Sequence, residues 1–279
     1  MGTITDRCDV LELIAAARDY YGVPDSAEIV AAPGTQSIIQ WLPRLRKLST
    51  VNIVGPTYSE HAHCWRANDH RVQEITEIKQ ADVVVVVNPN NPTGRRFDPD
   101  LLKSIAQHQA ANDGWLIIDE AFADVAPRVS CVEFAGTPGL IILKSIGKFF
   151  GLAGARVGFA IADKDVTEEL KFALGPWAVS GPSIAAAKAA LLDFEWQDDA
   201  LSRMERDADR LDELLTTAGF DVIGGTPLFR LVEASDAANI ERKLGEKGVL
   251  VRSFEDHPSW LRFGLPGKQS DWHRLEAAL

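Results

Sequence analysis

Five consecutive valines occupy positions 83–87, and the turn-forming segment NPNNPTG follows them directly at residues 88–94. β-Branched side chains favour extended backbone, and an apolar run without alternation predicts a strand that is buried on both faces. Strands of this kind are typical of parallel sheets that helices cover on both sides. This run therefore indicates an α/β protein.

Further apolar strands alternate with amphipathic helices along the first part of the chain. Strands are predicted within residues 28–33, 49–56, 114–121, 139–145 and 155–162, and helices within residues 35–45, 59–68 and 98–110. The alternation predicts a three-layer, mostly parallel sheet with helices on both faces, in a large domain over residues 1–165. In such sheets, the loops at the carboxyl ends of the strands carry the chemistry.

The pattern changes after residue 165. Two helices, predicted over residues 181–197 and 198–219, precede short strands, one helix and two more strands. This order predicts a smaller α+β domain over residues 166–279.

Composition and charge narrow the class of partner. Apolar residues make up 46% of the chain, which is enough for a core, and a formal net charge of -11 disfavours nucleic acid. The apolar runs are far shorter than the roughly 20 residues of a membrane span. Three widely separated cysteines favour a reducing compartment over a disulfide framework. We expect a soluble cytoplasmic protein that acts on a small molecule, without a nucleic-acid or membrane partner.

Polar residues follow the predicted strands at several places. Gly34 opens a helix whose free N-terminal amides favour an anion. Asp119 ends an apolar strand, where a buried carboxylate needs a cation or a hydrogen-bond donor. Two lysines, Lys144 and Lys148, follow another strand, and Lys148 lies between a glycine and two phenylalanines. Each feature alone is typical of ordinary structure, and Lys144 is expected to be an exposed strand-end lysine.

Together, the ordered segments NPNNPTG, DEAF, KSIGK and GARVG resemble the class I and II aminotransferases, the fold type I enzymes that use pyridoxal phosphate. The resemblance covers residues 33–267 and implies pyridoxal 5'-phosphate as cofactor and a homodimer. It also implies that Lys148 supplies the catalytic amine for a Schiff base with the cofactor. The apolar neighbours of Lys148 favour a lowered pKa, which would leave its amine nucleophilic.

The same resemblance assigns the groups around the cofactor ring. Asp119 would keep the ring nitrogen protonated, and Asn91 would donate to the phenolic oxygen. His61 would stack on the face of the ring. Phe122 stands where the commoner family pattern has a tyrosine, and it cannot donate to the phenolic oxygen.

The resemblance also assigns the anion contacts. Arg262, in the segment WLRFGLPG, would bind the carboxylate of the substrate. The cofactor phosphate would sit on the start of the helix and on two side chains from the other side, a set made of Gly34, Thr35, Gln36, Ser145 and Arg156.

A metal site is the alternative for the segment PTYSEHAHCW. His61 and Cys64 would lie three residues apart on a helix, with His63 beside them, but no second cluster with ligand spacing occurs elsewhere in the sequence. We therefore expect no metal.

The cofactor alone does not determine the reaction. The segments APGTQSIIQWLPRL, PTYSEHAHCW, DEAFADV and GPWAVSGPSIAAA are similar to the threonine-phosphate decarboxylase branch of the family, which belongs to cobalamin (vitamin B12) biosynthesis. That resemblance implies a lyase that makes aminopropanol phosphate from the amino-acid phosphate L-threonine O-3-phosphate. An aminotransferase of the histidinol-phosphate type is the alternative.

The N-terminus departs from the family pattern. Family members begin with an arm that closes over the substrate, whereas this sequence starts near a helix predicted over residues 6–24. Either the true start of the protein lies upstream or part of the arm is missing, and the second case leaves open a truncated, inactive relative of the same fold.

Overall fold

The computed structural model describes residues 7–279, which form two compact units. The first unit contains the chain up to Asn90 and Arg96–Phe194, and the second contains Asn91–Arg95 and Glu195–Leu279. Residues 1–6 lie outside the described residues. The prediction about the N-terminal arm concerns this end of the sequence and stays a prediction.

A seven-stranded sheet organises the first unit, and it confirms the predicted mostly parallel sheet. Its strands lie in the order β1-β7-β6-β5-β4-β2-β3, and only β7 runs antiparallel to its two neighbours. The five valines form β4, which is fully buried and central. The strands are β1 Glu28–Ala32, β2 Thr50–Val54, β3 Arg71–Ile75, β4 Val83–Val87, β5 Trp115–Asp119, β6 Leu140–Ser145 and β7 Gly158–Ala162.

Six α-helices accompany this sheet within the described part of the first unit. They are α1 Arg7–Tyr21, α2 Thr35–Trp41, α3 Glu60–Arg66, α4 Pro99–Ala111, α5 Lys164–Leu174 and α6 Gly181–Leu192. The side chain of Asp98 caps α4 by accepting from Asp100 N, and Pro99 at the first position has no amide proton to satisfy. Side chains of α2, α3 and α5 (Ile38, Trp65 and Leu170) pack on alternate residues of the sheet.

The division between the units differs from the predicted boundary at residue 165. Helix α5 packs against β1 and β7, and α6 packs against α1, so both helices belong with the sheet of the first unit. The predicted helix over residues 181–197 is also interrupted, because α6 ends at Leu192 and a new helix begins at Phe194.

The second unit contains a smaller antiparallel sheet with the order β10-β11-β9-β8. Its core includes Leu211, Val232, Leu261 and Trp272. The elements are α7 Phe194–Thr217, β8 Asp221–Thr226, β9 Phe229–Glu233, α8 Ala237–Glu246, β10 Arg252–Ser253, β11 Trp260–Gly264 and α9 Gln269–Ala278. Across residues 7–279, no helix combines the length and the apolar character that a membrane crossing requires.

Candidate active site

Two predicted site residues end neighbouring parallel strands of the first unit. Asp119 is the last residue of β5 and Ser145 is the last residue of β6. The register pairs Asp119 with Leu143. Side chains alternate between the two faces of a strand, so Ser145, two residues after Leu143, lies on the same face as Asp119. The sheet therefore brings Asp119 and Ser145 to one edge and one face.

The carboxylate of Asp119 is buried and accepts two hydrogen bonds. Ala121 N donates to its Oδ1 over 3.0 Å, and His61 Nε2 lies 3.0 Å from its Oδ2. His61 is 1% exposed and Asp119 is 4% exposed. The predicted role of His61 was stacking on a ring, and the structure adds a partner that the sequence did not predict.

Lys148 follows β6 in a loop whose aromatic residues turn inward. Phe149 and Phe150 are buried, whereas the Lys148 side chain is exposed and its Nζ lies 5.3 Å from the centroid of the Phe122 ring. The sequence suggested an apolar, enclosed position for this lysine. The structure instead leaves the residue exposed, with its amine near the ring of a buried phenylalanine.

Three of the predicted phosphate contacts meet at the start of α2. Gly34 has a φ of +82°, and a Cβ at this position would stand 2.5 Å from Arg156 Nη2. At Gly158, the first residue of β7, a Cβ would stand 2.5 Å from Thr35 N. Glycine at both positions therefore lets the backbone and the guanidinium approach closely.

Gln36 and Ser145 have local partners within the first unit. The side-chain amide of Gln36 donates to Glu60 Oε2 over 2.5 Å and accepts from the Tyr58 hydroxyl over 3.1 Å. Ser145 Oγ accepts from Gly147 N over 3.2 Å, which leaves its hydroxyl proton available for another acceptor.

The remaining predicted residues, Asn91 and Arg262, both belong to the second unit. Arg262 Nη1 donates to Asn91 Oδ1. Arg252 on β10 pairs in register with Arg262 on β11, and burial, followed by the charge of Arg252, lowers the pKa of Arg262. Sequence reasoning missed Arg252, although the predicted strands VLVRSF and WLRFGL each contain one arginine.

The prediction that Lys144 is exposed is wrong. Its side chain is 3% exposed, and its Nζ lies 2.6 Å from Glu120 Oε2. The lysine can be buried because the carboxylate directly after Asp119 neutralises it. Among the described residues, no group of three histidine, cysteine or acidic side chains is arranged to hold a metal ion.

Comparison with known families shows which family the chain belongs to. The model of the family "Aminotransferase class I and II" matches residues 4–278. The chain belongs to this family. Two curated threonine-phosphate decarboxylases are similar to it. The protein from Pseudomonas aeruginosa is 42% identical over 96% of this chain and 81% of its own length. The protein from a Sinorhizobium species is 43% identical over 99% of this chain and 84% of its own length.

A solved aminotransferase of the same fold supports the architecture. The crystal structure of the histidinol-phosphate aminotransferase from Clostridium acetobutylicum superposes with a TM-score of 0.89, covering 100% of this chain and 90% of that one. Its sequence identity to this chain is 22%, so the likeness concerns the fold.

The described residues of the first unit fit pyridoxal phosphate, the cofactor of this aminotransferase family. Lys148 is an exposed residue that supplies an amine, and the buried Asp119 carboxylate retains acceptor capacity beyond its two donors. The guanidinium of Arg156 lies beside Gly34, the residue before α2, whose lack of a Cβ leaves room for this cation. The amine, the carboxylate and the anion cradle are the three groups that this cofactor requires.

Proposed function

We propose that this chain is a pyridoxal-phosphate-dependent lyase that decarboxylates L-threonine O-3-phosphate to aminopropanol phosphate in cobalamin biosynthesis. The observation that carries the proposal is the 42% and 43% identity to two threonine-phosphate decarboxylases over almost the whole chain. The reaction breaks the bond between Cα and the carboxylate, releases carbon dioxide and adds a proton to Cα.

When bound, pyridoxal phosphate supplies an aldehyde for the substrate amine and a ring that accepts the electron pair of the broken bond. In the proposed site, Lys148 is the amine that holds the cofactor. Asp119 keeps a proton on the ring nitrogen, and the bond from His61 fixes the orientation of its carboxylate. Arg156 and the first amides of α2 hold the phosphate of the cofactor.

The charge of the second unit suits a substrate with two anionic groups. L-Threonine O-3-phosphate carries both a carboxylate and a phosphate, and Arg252 and Arg262 are opposite each other in the β10–β11 register. Two guanidinium groups that face each other repel, so an anion between them relieves an unfavourable interaction. We assign Arg262 to the carboxylate, Arg252 to the second anionic group and Asn91 to the phenolic oxygen of the cofactor.

Absorption spectroscopy tests the proposal. Purified protein is titrated with pyridoxal phosphate, then with L-threonine O-3-phosphate, while carbon dioxide is collected. Lys148→Ala should abolish the visible band. Lys103→Ala is the matched control, because Lys103 on α4 also lies over a phenylalanine ring, with its Nζ 4.7 Å from the Phe134 centroid.

Each alternative has a distinct outcome. A Lys148-dependent band with carbon dioxide release supports the decarboxylase. A band with amino-group transfer from histidinol phosphate to 2-oxoglutarate, without carbon dioxide, would indicate an aminotransferase of the histidinol-phosphate type. Absence of a band in the folded wild-type protein would indicate an inactive relative.

We further propose that the protein acts as a homodimer in the cytoplasm. Three large apolar side chains of the first unit are exposed to an unusual degree, namely Phe172 at 91%, Trp177 at 67% and Phe194 at 57%. Exposed apolar groups of this size are typical of surfaces that bind another protein chain. Sedimentation equilibrium would test the dimer, and a monomer at micromolar concentration with full activity would contradict it.

A further inference from the structure

A buried ion pair lies directly behind the strand ends of the proposed cofactor site. Glu120 follows Asp119, Lys144 precedes Ser145, and their charged atoms are 2.6 Å apart. Glu120 N donates to Leu143 O over 2.9 Å, which extends the β5–β6 register by one residue. Because side chains alternate along a strand, the pair lies on the face opposite Asp119 and Ser145.

The hydrogen bonds of this pair join it to a third segment of the chain. Ser130 Oγ donates to Glu120 Oε2 and Cys131 N donates to Glu120 Oε1, each over 2.6 Å. Lys144 Nζ donates to Ser130 Oγ over 3.2 Å. The two charged side chains therefore tie residues 130–131 to the ends of both strands.

Helix α1 also contacts the pair. Lys144 Nζ lies 4.9 Å from the centroid of the Tyr21 ring, and the ring of the neighbouring Tyr20 contacts Phe150 at 5.5 Å. Phe150 belongs to the loop that carries Lys148. The ion pair and the two tyrosines of α1 therefore lie next to both strand ends and next to the loop that carries Lys148.

A buried ion pair is a weak source of net stability, because desolvation offsets the attraction between the charges. Strand β5 ends at Asp119, and the β5–β6 ladder continues one residue further through the bond from Glu120 N to Leu143 O. We propose that Glu120 and Lys144 are positioning residues, whose ion pair fixes the strand ends that carry Asp119 and Ser145. This inference rests on the proposed cofactor site, but not on which reaction follows there.

The informative variant removes both charges together. Glu120→Gln or Lys144→Met alone leaves an unpaired buried charge and is expected to destabilise the fold strongly. The double variant Glu120→Gln/Lys144→Met leaves neither member of the pair unpaired, although it also removes the cation that favours the ionised form of the buried Asp124. Lys144→Arg retains the pair. The control is the double variant Arg66→Met/Glu74→Gln, which removes an exposed pair with a similar separation of 2.7 Å.

Two properties of the bound cofactor serve as readouts, namely the dissociation constant for pyridoxal phosphate and the pH midpoint of the Lys148-dependent band. For Glu120→Gln/Lys144→Met we expect binding that is roughly tenfold weaker. The pH midpoint should also rise, as it should in Asp119→Asn, because a ring nitrogen that loses its proton withdraws fewer electrons. Lys144→Arg and the surface control should stay close to the wild type.

Amide hydrogen exchange supplies a readout that needs no cofactor. In the cofactor-free double variant, exchange at residues 119–121 and 144–148 should accelerate, while the core strand β4 stays protected. Unchanged exchange together with a wild-type pH midpoint would overturn the inference, even if the melting temperature fell. Faster exchange in a protein whose wild type forms no Lys148-dependent band would support the positioning role and contradict the proposed function.

Discussion

His61 Nε2 lies 3.0 Å from Asp119 Oδ2, and both side chains are buried within the first unit. A buried carboxylate depends on its donors, and Asp119 has one other donor among the described contacts, the backbone N–H of Ala121. The pair therefore links the predicted stacking residue to the predicted partner of the ring nitrogen.

His61→Phe should separate these two functions, because it keeps an aromatic face but removes the hydrogen bond to Asp119. We expect the free energy of unfolding of the cofactor-free protein to fall by about 1–3 kcal/mol, the usual cost of an unsatisfied buried polar group. Urea denaturation measures this change. Tyr58→Phe, which removes only the half-exposed bond to Gln36, should cost less, and equal losses in the two variants would contradict the assignment.

Phe122→Tyr should lower the pH midpoint of the Lys148-dependent absorption band. A tyrosine hydroxyl can donate to the phenolic oxygen of the cofactor, which stabilises its anionic form, whereas phenylalanine cannot. A spectroscopic pH titration measures the midpoint. Phe134→Tyr adds the same hydroxyl to a ring that lies beneath Lys103 instead, and it should leave the midpoint unchanged. A titration that is identical in Phe122→Tyr and the wild type would contradict the assignment of Phe122 to the edge of the cofactor ring.

Asp124 should make the protein more stable at mildly acidic pH. Burial raises the pKa of Asp124 from 3.8 to about 6, although the nearby Lys144 opposes the shift. The native state then binds a proton more readily than the unfolded state, so this group adds stability as the pH falls from about 6 towards 3.8.

Asp124→Asn removes that contribution. The unfolding free energy of the variant minus that of the wild type should be larger at pH 8 than at pH 5. At pH 8 the wild type has to bury an ionised carboxylate, whereas at pH 5 this carboxyl is mostly protonated. Urea denaturation of both proteins at the two pH values gives the difference. A difference that does not change between pH 8 and pH 5 would mean that Asp124 does not titrate in this range.

Arg252→Gln should weaken substrate binding without loss of fold stability. The variant removes a charge that opposes Arg262, so the unfolding free energy should be unchanged or higher. Affinity for L-threonine O-3-phosphate should fall by about tenfold or more, since a charge-assisted hydrogen bond is lost. Isothermal titration measures this affinity, and Arg242→Gln, on the exposed Arg242–Glu246 pair, is the control. Equal affinity in the two variants would contradict a role for Arg252 in anion binding.

Gly94→Ala should disrupt the contact between the NPNNPTG segment and β8. A Cβ at Gly94 would stand 1.9 Å from Gly225 O, and the φ of Gly94 is +70°. Gly151 has a similar φ of +68°, but an added Cβ there would meet no atom within 4 Å, so Gly151→Ala measures the backbone strain alone, which is about 1 kcal/mol. Thermal unfolding should show a clearly larger loss for Gly94→Ala, and equal losses would show that the segment can move away from β8.

The elements that sequence predicted well are those buried on both faces. Strand β4 is an unbroken apolar run because no side of it meets water. Strand β3 was not predicted, because it lies at the edge of the sheet and exposes most of its side chains, so its sequence RVQEI has no continuous apolar signal. Helix α5 was also not predicted, although its amphipathic sequence begins with the capping residue Asp163.

The positions of the site residues were easier to predict than their partners. The end of an apolar strand pointed to Asp119, because a carboxylate there is unusual, and the family resemblance assigned Ser145 to the cofactor phosphate. The contacts of Asp119 with His61 and of Glu120 with Lys144 depend on the packing of α3 and on the β5–β6 register, neither of which a local pattern contains. A buried lysine was misjudged for the same reason, since its neutralising partner is 24 residues away in the chain.

The NPNNPTG segment limits how this chain can be divided. Residues 88–90 belong to the first unit, whereas Asn91–Arg95 belong to the second, where Thr93 O accepts from Gly225 N over 3.1 Å. A fragment that starts at residue 195 would therefore omit a piece of its own unit, including the partner of Arg262. Domain exchange between relatives should accordingly transfer residues 91–95 together with the C-terminal portion. A single crossover at residue 195 would combine residues 91–95 of one parent with the four-stranded sheet of the other.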